Sequence, residues 1–101
     1  MTVEFFDGCM VVDRTFNSIA AMFGGHSATA VVGSCMVDGV LMEFGVTFDP
    51  GYSTLVSAPH RTFTAREVTV TGAETDAQLL EKAEEAVRAM LSFESRQLAN
   101  R

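Results

Sequence analysis

The chain has 101 residues, 48% of them apolar, which is enough to bury a core and reads as a single domain over residues 1–101. Its net charge is −6, and no apolar stretch reaches the ~18 uncharged residues that a membrane helix needs. Lys and Arg never cluster, which argues against direct binding of nucleic acid through its phosphates.

The acidity is uneven. Up to residue 60 the acids Glu4, Asp7, Asp13, Asp38, Glu43 and Asp49 face a single base, Arg14, whereas residues 61–101 are nearly balanced. An acidic half of this kind suits a protein partner with a basic surface.

Residues 2–6 and 9–13 flank Asp7-Gly8, a pair able to adopt the φ > 0 conformations of a tight hairpin turn. The implied hairpin pairs Phe6 with Cys9, Phe5 with Met10, Glu4 with Val11 and Val3 with Val12. A short helix is expected near 15–23, where Phe16, Ile19, Ala20 and Phe23 recur at helical spacing before Gly24-Gly25 ends it.

A second hairpin, about 28–37 with 40–48, turns at Asp38-Gly39. Its register pairs Val37 with Val40, Cys35 with Met42, Gly33 with Phe44, Val31 with Val46 and Thr29 with Phe48, an apolar face. The opposite face pairs Met36 with Leu41, Ser34 with Glu43, Val32 with Gly45 and Ala30 with Thr47. It is small and weakly polar, with one acid at its centre.

Asp49-Pro50-Gly51-Tyr52 reads as a turn and Ser53–Ser57 as a short edge strand. Arg61–Thr71 reads as the last strand, with an alternation slip between Phe63 and Val68 that marks a bulge or two shorter strands. Thr75-Asp76-Ala77-Gln78 is a capping box opening a helix near 75–97, whose apolar stripe is Leu79, Ala83, Ala86, Val87 and Met90. The expected fold is α+β, an antiparallel sheet of five or six strands with the longer helix packed on one face.

No catalytic, metal or cofactor signature emerges. His26 and His60 lie beside loop signals, and Cys9 and Cys35 have no CxxC spacing, so both thiols read as small buried or half-buried residues of a reducing compartment, with a single disulfide as the minority reading. Asp38 and Asp49 sit at turns, where Asp has a conformational role of its own. No cofactor is expected, and the protein is read as a non-enzyme.

Met10, Met42 and Met90 fall on expected core faces, while Met22 and Met36 do not. The expected partner-binding surface is Met22, Val32, Ser34, Met36, Asp38, Leu41 and Glu43. The leading functional expectation is a cytoplasmic inhibitor or adaptor that occludes a basic, nucleic-acid-binding surface of a larger protein. Small anti-defence proteins of phages and immunity proteins share this size and charge. The alternative is a structural or assembly subunit of phage-particle type, a homodimer or larger oligomer that self-associates through its sheet.

Overall fold

The computed structural model describes residues 3–5, 11–13, 29–49, 53–59 and 61–99. It is an α+β fold. Four antiparallel strands, β3 (Thr29–Val37), β4 (Val40–Phe48), β5 (Thr54–Ala58) and β6 (Arg61–Ala65), lie side by side in chain order. One helix, α1 (Asp76–Ala99), crosses one face of the sheet. Two three-residue segments, β1 (Val3–Phe5) and β2 (Val11–Asp13), register along the outer edge of β3. The expected helix at 15–23 lies outside the described residues.

The β3–β4 hairpin turns at Asp38 (φ 51°) and Gly39 (φ 82°), the two positive φ values a type I′ turn demands. Its register pairs Val37 with Val40 and runs through Cys35–Met42, Gly33–Phe44 and Val31–Val46 to Thr29–Phe48, as the sequence implies.

The first expected hairpin does not form. Glu4 pairs with Met36 instead of Val11, and Val11 pairs with Val32. Since β1 and β2 both run antiparallel to β3, they point the same way and do not pair with each other. The physical reason is competition. An isolated two-stranded ribbon is marginal, whereas β3 offers a long edge whose core face is already buried by α1. The strand pattern survives the change of partner: Val3, Phe5 and Val12 register opposite Val37, Cys35 and Val31.

Strand order brings two further corrections. The segment expected as an edge strand at 53–57 is β5, an interior strand paired on both sides, with Val56 between Val46 and Phe63. The last strand stops at Ala65, well short of Thr71. The chain turns at Arg66-Glu67, and the Val68 amide donates to the Ala65 carbonyl at 3.3 Å. Val68 and Val70 then fold into the core, and the buried Thr54 hydroxyl donates to the Val68 carbonyl at 2.5 Å. This is the slip in alternation, realised as a strand end.

The core lies between sheet and helix. Val31, Cys35, Phe44, Val46, Phe48 and Val56 meet Leu79, Ala83, Ala86, Val87, Met90 and Leu91. The small Ala83 and Ala86 let the helix sit close to the sheet, and all five residues of the expected stripe are buried. Cys35 is a free thiol there, and burial pushes its pKa up, against the pull of the Arg88 cation. At the far end Arg61, at the start of β6, makes an ion pair with Glu94 of the helix.

The helix start is fixed by reciprocal caps. The Gln78 amide donates to the Thr75 hydroxyl at 3.3 Å, and the Thr75 amide donates to Gln78 Oε1 at 2.8 Å. Replacing Thr75 by Ala removes one of these bonds and is expected to cost about 1 kcal/mol, read from the urea midpoint. No change in midpoint would show that the caps hold nothing.

Just before the caps, Glu74 gathers the connecting loop. It accepts from the Thr71 amide (2.8 Å), the Gly72 amide (3.0 Å) and Lys82 Nζ (3.2 Å). Gly72 supplies the positive φ, 95°, that this approach uses. The bond from the Thr71 amide leads the causes that hold the Glu74 carboxyl at about 2, below its ordinary 4.5. A lowered folded-state pKa means stabilisation that is complete above 4.5 and lost as the pH falls toward 2. The melting temperature is therefore expected to fall through this window by less in Glu74→Gln than in the wild type. Identical slopes would refute the assignment.

Candidate functional site

The helix covers one face of the sheet. On the other face stand Val32, Ser34 and Met36 of β3, Leu41, Glu43 and Gly45 of β4, and Ser57 of β5, and no described element packs over them. A β-strand alternates its side chains, so the register that sends Val31 and Cys35 into the core sends Val32 and Ser34 out.

An open groove of about 620 Å3 runs along this face, lined by Val32, Ser34, Glu43, Gly45, Ser57 and Pro59. Its geometry follows from unequal strand lengths. β4 begins at Val40, but its pairing with β5 starts only at Gly45, so the first half of β4 overhangs its neighbour. The residues of a shared row, Val32, Gly45 and Ser57, decrease in size toward the middle. Gly45 is the low point: a Cβ built there would meet nothing within 4 Å.

Large apolar side chains surround the groove in solvent. Val32 is 48% exposed and Leu41 61%, with Val40 at 62% at the hairpin tip. Such exposure, at the end of the face away from the buried Ala30 (3%) and Thr47 (7%), where no described element packs, marks a contact surface. Among the described residues of this face the charge is of one sign. Glu43 is exposed opposite Ser34, Glu4 is exposed opposite Met36, and Asp38 holds the turn; residues 29–58 contain no Lys or Arg.

Of the expected site residues, Val32, Ser34 and Glu43 wall the groove together. Met36 and Leu41 form the adjoining pair toward the hairpin tip, where Asp38 takes the first turn position. Met22 lies outside the described residues, as do Cys9, His26 and His60. Gly45, Ser57 and Pro59 line the groove without being among the residues expected there. A glycine inside a strand is a signal for close approach of another group and points to Gly45. Ser57 and Pro59 join only through the β4–β5 register, which no turn motif announces.

Asp49, 2% exposed directly after β4, has neither carboxylate oxygen hydrogen-bonded among the described residues, and it does not line the groove. Among the described residues no three His, Cys, Asp or Glu side chains are placed to hold a metal ion. No helix is long and apolar enough to cross a membrane. No protein-family model, curated protein or solved structure matches this chain.

Proposed function

We propose that the protein acts by binding another protein, with the open sheet face as its contact surface and a basic surface of a larger target as its partner. The observation that carries this reading is the combination on one face of exposed Val32 and Leu41, a groove floored by Gly45, and acids unaccompanied by any base in residues 29–58. The apolar side chains supply desolvated contact area, and Glu43 and Glu4 steer and orient a cationic partner. A surface evolved to meet phosphates is commonly basic, so an acidic face of this kind suits an inhibitor or adaptor that occupies a nucleic-acid-binding site. Its size and charge suit cytoplasmic anti-defence or immunity roles.

Self-association through the same face is the weaker reading. Two copies stacked on it would set Glu43 and Glu4 against the same acids of the second copy, a like-charge contact that costs free energy.

Affinity capture with wild-type and Glu43→Lys baits, at low and high salt, tests the proposal. The expected result is one basic protein in stoichiometric yield, retained at low salt, depleted at high salt, and held about tenfold more weakly by the variant. Equal retention by both baits at both salt concentrations would overturn it.

A further inference from the structure

The sheet has a second feature that the open face does not use, its outer edge at β6. Sheet order ends there, with β5 as the only neighbouring strand among the described residues. In an antiparallel pair alternate residues direct their backbone groups to the neighbour or away from it. The pairs closing the two-residue β3–β4 and β5–β6 turns fix which residues do which. Ala58–Arg61, Val56–Phe63 and Thr54–Ala65 are the hydrogen-bonded pairs, so Thr62 and Thr64 turn their N–H and C=O groups outward.

Such an edge invites another strand unless Pro, Lys or a bulge blunts it, and residues 62–65, Thr-Phe-Thr-Ala, contain no Pro or charge. Beside the edge, on the helix side, lies a groove of about 540 Å3 between β6 and α1. Its floor is apolar, with Phe63 and Phe93 in a tilted ring contact at a centroid distance of 5.5 Å. Phe93 is 41% exposed, although it belongs to the helix that covers the core.

We infer that this edge is a homodimer interface whose occupant is β6 of a second copy, paired antiparallel across a two-fold axis at Phe63. That register sets Thr62 opposite Thr64 of the second copy and makes about four inter-chain backbone hydrogen bonds. It also sets the two Phe63 rings opposite each other on the helix side, where both Phe93 rings close over them.

Charge selects the occupant. The rim of this groove carries Arg66 and Arg88 with Glu67 and Glu85, two cations and two anions. A neutral rim of mixed sign is complementary to its own copy across a two-fold, which the all-acid face is not. The dimer continues one sheet across both copies and leaves both acidic faces open on the same side.

Sedimentation of the full-length protein over a concentration series tests this, with no partner present. The expected wild-type result is a monomer–dimer equilibrium with a micromolar dissociation constant. Thr64→Pro removes an outward N–H without touching the β5 ladder, and Phe93→Arg removes the exposed ring. Each is expected to weaken dimerisation at least tenfold while circular dichroism and melting profiles stay those of a folded chain. A wild type that stays monomeric up to several hundred micromolar overturns the inference. Dimers of unchanged affinity in Phe93→Arg would also overturn it, and that variant lies on exposed helix surface and keeps the test valid if Thr64→Pro fails to fold.

Discussion

Phe48→Ala is expected to cost ~3–5 kcal/mol of folding stability, while Leu41→Ala changes it by less than about 0.5 kcal/mol. Both are large apolar residues of β4, yet Phe48 is fully buried on the helix face and Leu41 is 61% exposed on the other. Truncating Phe48 loses the transfer free energy of the ring and leaves a cavity in the core between sheet and helix that a close-packed interior refills only in part. A domain of this size has only about 5–15 kcal/mol in total, so the loss brings the variant close to unfolding. Urea denaturation of the two variants in parallel provides the measurement. Equal costs would mean that both faces are covered, and the assignment of an open face would fall.

That contrast shows how far the sequence alone reaches. The β3–β4 hairpin is legible because Asp38-Gly39 is a local signal with one conformational outcome, and period-two alternation then assigns every side chain from Thr29 to Phe48 to a face. The helix is legible for the same kind of reason, since Thr75 and Gln78 bond across a single turn. Long-range pairing is not local. Asp7-Gly8 carries the same dipeptide, but β1 and β2 each pair with β3, because the edge of a buried nine-residue strand offers more than a lone ribbon. Nor does sequence order reveal that β5 is interior or that β6 is the open edge. The expected site follows this division. Val32, Ser34 and Glu43 come from hairpin register and stand together, whereas Ser57 and Pro59 reach the groove only through the strand order.

The second large effect concerns binding without folding. Gly45→Val is expected to weaken partner binding at least tenfold, about 1.4 kcal/mol, while raising folding stability by about 0.5–1 kcal/mol. The groove floor has open space where the new side chain would go, and Gly45 does not have the positive φ that Val would resist. A β-branched residue also suits a strand interior better than glycine. Improved folding with lost binding separates the two roles, because a merely structural glycine would show the reverse. Calorimetry of folding and titration of the captured partner decide between them; unchanged affinity in a stable Gly45→Val protein would remove the groove from the interface.

A methyl NMR titration locates the contact surface on the protein itself. With the captured partner added stepwise, shift changes are expected at the methyls of Val32, Met36 and Leu41, which lie on the open sheet face. The methyls of Val87, Leu79 and Met90, which lie between sheet and helix, are predicted to stay in place. Binding that leaves Val32, Met36 and Leu41 unshifted while moving residues of the helix would place the contact surface on the helix instead of the sheet.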